Sequence, residues 1–219
     1  MNAGQHTGRE WAREYFGCYR HYRDRETWLR DECPTCGLLY VKDSPEDQRL
    51  HKGRHRLICS IFDPQPNAAL AARFAQDGAL IRVEPGKERY LRERLEKIGL
   101  GFNKEGAYDF LPYRASSIER GGFILTDVEG RALGGGGIGR TGYTNLPPGP
   151  VLTWVWIAPP WRRQGLFTSL WRQLEKLHPR IYPEPPFSDA MFEWLRTRRP
   201  KLPSVMLKVL SKTKEWTNG

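Results

Sequence analysis

VWIAPPWRRQGLF, residues 155–167, is the stretch from which the rest of the chain can be organised. It begins inside an apolar run, residues 151–157, whose β-branched and aromatic side chains predict a buried strand. Pro159 and Pro160 end that strand. Gly165 stands just ahead of residues 166–177, whose apolar periodicity predicts a helix. Strand, loop and helix in immediate succession put a helix N-terminus beside the end of a strand. Such an end offers unpaired N–H groups and the positive pole of the helix dipole to an anion. Gly165 lets the backbone approach a ligand closely. Arg162 and Arg163 add fixed positive charge. On spacing alone the segment reads either as a pyrophosphate site or as an ordinary strand–helix turn with solvated arginines.

The flanking sequence supplies the rest of a layered fold. Residues 79–84 predict a short strand, turned by Pro85 and Gly86. Residues 88–98 have helical periodicity through Tyr90, Leu91, Leu95 and Ile98, with Gly99 and Gly101 as the stop. Residues 122–128 and 132–140 predict a hairpin around Glu129 and Gly130. The four glycines at 134–137 fall inside a hairpin strand with no helix after them. Close backbone packing or a bulge is therefore expected there, and phosphate binding is not. Residues 181–186 are extended and proline-rich. Ser188 can cap a short helix over 189–198, and residues 204–210 predict a last strand. Strands mixed with helices in this order predict an α+β, or mixed α/β, layer fold.

Toward the N-terminus, Cys33, Cys36, His51 and His55 follow the pattern C-x2-C, fourteen residues, H-x3-H. Two thiolates and two imidazoles at this spacing close a tetrahedral zinc site with no open position. His51 and His55 are i, i+4 and share one face of a helix. Pro34 and Gly37 serve the knuckle turn, while Pro45, Glu46 and Asp47 suit the start of the helix. Residues 8–32 carry Trp11, Tyr15, Tyr19 and Tyr22 at helical spacing and predict an amphipathic helix, weakened by Gly17. Pro64 and Pro66 mark a linker before an alanine-rich helix. The chain thus divides into an N-terminal helical segment (1–32), the finger (33–57), a linker with a short helix (58–78) and a larger domain (79–219).

The chain has 219 residues, with 35 Lys and Arg against 25 Asp and Glu, a net charge of +10. From Arg196 onward seven residues are basic and only Glu215 is acidic, so more than half of the excess lies in that end. Such an end attracts nucleic acid or an acidic protein surface, or is simply solvated. Cys18 and Cys59 show no disulfide framework, and with a C-x2-C present a reducing compartment is expected. No apolar run approaches a membrane span and the N-terminus is polar. The expectation is a cytoplasmic protein, nuclear in a eukaryote, that is neither anchored nor secreted.

Residues 155–167 resemble motif A of the GCN5-related N-acetyltransferases: a strand, an R/Q-x-x-G-x-G/A loop, then a helix. Arg162 and Gly165 match; Phe167 stands where that family usually has a small residue. More specifically, the chain resembles the cohesin acetyltransferases of the ESCO type, in which a C2H2 finger precedes the acetyltransferase domain. CPTCGLLYVKDSPEDQRLHKGRH (33–55) reproduces the finger pattern. GALIRVEPGKERYLRERLEKI (78–98) is similar to the strand and long helix after it. FILTDVEGRALGGGGIGR (123–140) is similar to the hairpin, and TWVWIAPPWRRQGLF (153–167) to the cofactor strand and loop. The chain departs from the family on the substrate side. Tyr182 and Pro183, followed by Glu184, stand where a serine–aspartate pair is usual. The literal Phe187, Ser188 and Asp189 are displaced toward the next helix.

The resemblance implies a mostly antiparallel sheet flanked by helices and an acetyl-CoA-dependent transfer to an amine, most simply a protein lysine. Acetyl-CoA would lie where the cofactor strand splays from the next strand, against Trp156, Ile157 and Ala158. Its diphosphate would meet Arg162, Arg163, Gln164, Gly165, Leu166 and Phe167. A lysine amine is mostly protonated near neutral pH, so a group must take its proton. Glu184 is the first candidate and Asp189 the second, with Tyr182 placed to protonate the departing thiolate. Ser188 and Asp189 also read as a cap and a turn. Two other functions fit the sequence: transfer to a small amine or an aminoacyl-tRNA, and an inactive zinc-finger module that binds nucleic acid or protein.

Overall fold

The computed structural model describes residues 30–106, 110–117, 119–140, 149–184 and 187–197. The expected helix over 8–32 falls almost wholly outside the described residues. So do the strand at 204–210 and the basic end beyond residue 197.

The N-terminal module is a small hairpin on a long helix. Strands β1 (Arg30–Glu32) and β2 (Leu39–Val41) pair antiparallel. Helix α1 (Pro45–Phe62) follows, with Ser44 as N-cap accepting from the Asp47 N–H and Pro45 in the first turn. Both are residues that a helix start favours. Asp47 is buried because it works between elements: its Oδ2 accepts from the Val41 N–H at 2.9 Å, tying β2 to α1. The helix does not stop at the end of the finger. It continues through Ile58 and Ile61, both buried. Asn67 then caps α2 (Ala68–Asp77), accepting from the Leu70 N–H at 3.0 Å.

The main sheet has five strands in the order β3 (Leu80–Val83), β4 (Gly121–Thr126), β5 (Ala132–Arg140), β6 (Pro150–Ile157) and β7 (Tyr182–Pro183). The first four are antiparallel neighbours, and β7 runs parallel to β6. Helix α3 (Arg89–Gly106) lies between β3 and β4 in sequence, α4 (Leu166–Leu177) between β6 and β7, and α5 (Asp189–Thr197) after β7. The two sheet faces carry separate cores. One joins Ile58, Ile61, Leu91, Leu95, Ile98, Trp154 and Trp156, from α1, α3 and β6. The other joins Phe123, Leu125, Leu133, Leu152, Leu170 and Leu174 beneath α4. The architecture is therefore α+β: an antiparallel-dominated sheet between helical layers, with the finger attached through α1.

Two features differ from the sequence expectation. Helix α3 passes straight through Gly99 and Gly101 to Gly106. These glycines are contact points, not stops. A Cβ on Gly101 would sit 2.8 Å from Ile61 Cγ2 and 2.9 Å from Trp156 Cζ2. The bare backbone is what lets α3 approach both α1 and β6. The glycines at 134–137 behave as expected, inside β5. A Cβ would meet the Trp156 carbonyl oxygen from Gly134 at 2.4 Å, the Trp154 carbonyl oxygen from Gly136 at 2.5 Å, and the Trp154 indole nitrogen from Gly137 at 2.3 Å.

The second difference is in β6. Its register against β5 shifts between Gly137 and Ile138: Gly137 faces Trp154, Ile138 faces Leu152, and Thr153 is the extra residue. Side chains of a regular strand alternate with period two, so Leu152, Trp154 and Trp156 should share a face. Instead Leu152 belongs to the core under α4 and the two tryptophans to the core under α3. The bulge flips the strand.

Candidate functional site

The four predicted metal ligands come together. The Cys33 Sγ is 3.4 Å from His55 Nδ1. One donor atom from each of Cys33, Cys36, His51 and His55 lies within 4.8 Å of the others. Tetrahedral zinc, with bonds of ~2.0–2.3 Å, sets its donors about 3.3–3.8 Å apart, so the four donors need close only by about an ångström to hold one ion. The local fold explains the convergence. The knuckle is closed by Gly37 N–H to the Cys33 carbonyl at 2.7 Å, with Gly37 in the left-handed region at φ 69°. The first half of α1 carries both imidazoles on one side. Tyr40 stacks on the His51 ring at 4.0 Å and 18°, fixing its plane.

The donor chemistry fits a dication. His51 Nε2 is buried with no hydrogen-bond partner among the described residues, an orphan that a metal would satisfy. At Cys33, burial pushes the thiol pKa up, but the Cys36 backbone N–H and the two neighbouring imidazoles outweigh it and bring it to about 5. Cys36 is pushed up, first by burial and then by its neighbour Cys33. Two thiolates this close resist sharing charge, and a zinc ion removes that conflict.

The second site is the splay between β6 and β7. Pairing covers only Val151 with Tyr182 and Leu152 with Pro183, and ends where the Glu184 N–H donates to the Leu152 carbonyl at 2.9 Å. Beyond it the bulge sets which backbone groups face the gap. The Trp154 and Trp156 carbonyls lie against β5, and the Ala158 N–H donates to the Leu133 carbonyl at 2.8 Å. Val155 and Ile157 therefore turn their backbone groups to the side where β7 has ended. Of the three strand residues expected at the coenzyme, only Ile157 presents its backbone to the gap. Trp156 is committed to the sheet, and Ala158 to the sheet through its N–H and to the following turn through its carbonyl.

From β6 the chain makes a short 3-10 turn, Pro159–Trp161, then a loop with two left-handed residues, Arg163 (φ 60°) and Gly165 (φ 77°). Gly165 is the N-cap of α4 and has no side chain to cap it, so among the described residues the helix start carries no side-chain cap. Gln164 Nε2 donates to the Pro160 carbonyl at 2.8 Å, bracing the turn. Arg163 is exposed. Arg162 is not free for a ligand. Its Nε donates to the Ile157 carbonyl at 2.7 Å, and its two terminal nitrogens make a forked pair with Glu105, one of them at 2.5 Å. Phe167 points toward α5: its ring meets Trp194 edge-to-face at 4.6 Å, and Trp194 Nε1 donates to Thr168 Oγ1 at 3.2 Å. That contact accounts for a large residue where the resembled family has a small one.

Of the three residues expected to move protons, two lie at β7 and the third on the following helix. Tyr182 is buried on β7, and Glu184 follows at the point where the strands part. Asp189 is exposed at the start of α5, where Ser188 Oγ accepts from the Met191 N–H at 3.3 Å. Ser188 is thus a helix cap, and Asp189 is placed as a first-turn acid. A cavity of about 240 Å³, lined by Arg82, Glu84, Glu119 and His178 among others, shares no residue with this site.

Residues 24–57 match the family described as the zinc-finger of acetyl-transferase ESCO. All four ligands fall inside the match, and the segment is similar to that finger. No curated protein sequence matches the chain. Among solved structures, the fold is partly similar to the aminoglycoside N-acetyltransferase AAC(6′)-Iy in complex with CoA: 14% identity, 54% of this chain, 87% of that one, TM-score 0.36. It is also partly similar to an aminoglycoside acetyltransferase from an uncultured soil metagenomic sample (14% identity, 54% and 86% covered, TM-score 0.39). A third is the aminoglycoside 6′-N-acetyltransferase AAC(6′)-Ih from Acinetobacter baumannii (13% identity, 61% and 86% covered, TM-score 0.30).

Sequence reasoning missed Glu105 and the bulge at Thr153. Glu105 was hidden because glycines were read as the end of α3, which left it outside any helix. Residue types alone gave no signal for Thr153. Among the described residues, no helix is long and apolar enough to cross a membrane.

Proposed function

We propose that the chain is an acetyl-CoA-dependent N-acetyltransferase whose acceptor is a lysine amine on a protein. The observation that carries this reading is the flipped edge of β6. Backbone groups of Val155 and Ile157 face a gap left by β7, and the edge leads directly into the uncapped N-terminus of α4. An open strand edge suits an extended, amide-bearing arm. A helix start entered through left-handed residues suits a diphosphate at its other end. Acetyl-CoA brings both, together with an activated acetyl thioester.

The residues divide the work accordingly. Val155 and the Ile157 N–H offer the edge, the Ile157 carbonyl being held by Arg162. The N–H groups of Arg163 through Phe167 receive the anion, and Arg163 adds the free positive charge. Trp156 and Ala158 hold the strand in place. Glu184, at the parting of β6 and β7, takes the proton from the incoming amine. Tyr182, two residues earlier, returns one to the departing sulfur. A zinc finger whose helix also packs into the core beside the sheet favours a macromolecular acceptor over a small amine.

The experiment compares wild type with Glu184→Gln. Calorimetry should give the two proteins the same CoA affinity. Acetylation of lysines in cell lysate, read by mass spectrometry, should fall roughly a hundredfold or more in the variant. The deficit should shrink as pH rises and more of the amine is already neutral. A wild-type protein that binds no CoA at millimolar concentration would overturn the reading.

A further inference from the structure

Arg162 looks at first like a ligand for the diphosphate, but every nitrogen of its guanidinium already has an acceptor. Nε donates to the Ile157 carbonyl, and the two terminal nitrogens fork onto Glu105. The carboxylate is itself fixed, because Trp156 Nε1 donates to its Oε2 at 2.8 Å. The Trp156 indole, wedged against Gly101 of α3, also lies 5.8 Å from the Arg162 Cζ. Glu105 sits on the last turn of α3, 57 residues before its partner. Arg162 and Glu105 are 36% and 40% exposed. A pair this exposed adds little stability on Coulomb attraction alone. What it adds is direction: a planar fork, an indole donor and a carbonyl acceptor leave the arginine one orientation.

We propose that Glu105 is a positioning residue for the coenzyme loop. Held by Trp156, it fixes Arg162 so that the guanidinium ties down the Ile157 carbonyl and sets the path of residues 158–165. This rests on the acetyl-CoA reading given above. It assigns the charge at Arg162 to the protein and leaves the diphosphate to the backbone N–H groups and Arg163. The competing arrangement has Arg162 reach the diphosphate directly, with Glu105 as a competitor for it. The two differ in sign when Glu105 is neutralised.

Glu105→Gln keeps the size and an acceptor for the indole but removes the charge. With a positioning role, CoA affinity by calorimetry should fall about tenfold, the worth of one charge-assisted hydrogen bond. Arg162→Lys, which keeps the charge and loses the fork, should fall similarly. Hydrogen exchange of amides 158–166, measured without coenzyme, should speed up in both variants while exchange in the finger stays unchanged. CoA affinity in Glu105→Gln that equals or exceeds wild type would overturn the proposal. If wild type binds no CoA, the acetyltransferase reading fails, and loop exchange still decides: protection unchanged by Glu105→Gln overturns the positioning role. Should Glu105→Gln fold poorly, Trp156→Phe keeps an aromatic wedge and deletes the indole donor. Faster loop exchange there supports the proposal, and unchanged exchange overturns it.

Discussion

The zinc finger and the loop that leads from β6 into α4 are both short turns fixed by a handful of polar contacts, yet they are specified differently. In the finger, the determinants are local. Four ligands lie between Cys33 and His55, the knuckle closes on its own backbone, and α1 presents two imidazoles a turn apart. A metal does the organising, so residue type and spacing suffice. In the loop, the determinants are remote. Its turn residues are present, but its central arginine is set by a carboxylate on another helix and an indole on the sheet. Motif spacing finds the loop and says nothing of what holds it.

The largest effect expected from breaking this contrast lies on the metal side. Cys36→Ser should lose the zinc, by elemental analysis, from about one equivalent per chain. Zinc binding in isolated fingers is worth about 10–16 kcal/mol. Because Ile58 and Ile61 share α1 with the histidines, the loss should lower the melting temperature of the whole protein. A zinc-free variant that melts like wild type would mean the two regions are independent.

On the loop side, Gly165→Glu should abolish the rise in melting temperature that CoA confers. Any L side chain at φ 77° is strained by about 1–2 kcal/mol, and this one adds negative charge at the start of α4. Zinc content should be unchanged. A variant that CoA still stabilises would remove the loop from the binding site.

Gly101→Ala probes the joint between the regions. The new Cβ would fall 2.8 Å from Ile61 and 2.9 Å from Trp156. Overpacking of this kind costs ~1–3 kcal/mol and should outweigh the better helix propensity of alanine, worth up to ~1 kcal/mol. Gly99→Ala is the control: its Cβ would lie 3.4 Å from Pro112, ordinary contact, and should be neutral or stabilising. Urea denaturation of the two variants should separate them, and equal stabilities would refute the packing account.

The smallest expected effect is a pH dependence. The Arg162 hydrogen bonds hold the Glu105 carboxyl below its ordinary value of 4.5, against the opposing effect of burial and with help from Trp156. A carboxyl lowered in the folded state stabilises the fold above its unfolded value, and the gain is lost as pH falls through the lowered one. Wild type should therefore lose slightly more stability than Glu105→Gln on acidification below about pH 4.5. Identical acid profiles would show that the pair contributes nothing measurable.

What the sequence disclosed follows the same division. Helix α4 begins and ends where residues 166–177 predict, because Gly165 and the preceding prolines are local signals. The four ligands, the hairpin and the glycine-filled β5 were legible for the same reason. Helix α3 was not, since Gly99 and Gly101 look identical as stops and as contact points until Ile61 and Trp156 are in place. Nor was the face of β6 open to a ligand. Period-two alternation assigns Trp156 and Ala158 to the gap, and one extra residue at Thr153 gives it to Val155 and Ile157. The loop's arginines were visible as charge, but their division into one held and one exposed is a tertiary fact.

Helix α1 runs unbroken from Pro45 to Phe62, with metal ligands on its first half and core residues on its second. The chain therefore has no natural seam between finger and sheet. A cut after Leu57 would sever the helix in mid-turn and leave Ile58 and Ile61 on a frayed stub above Gly101. A finger borrowed from a relative would have to bring its whole helix, matched to the glycine and tryptophan beneath it. A substitution in either half is therefore felt through this one helix by the other.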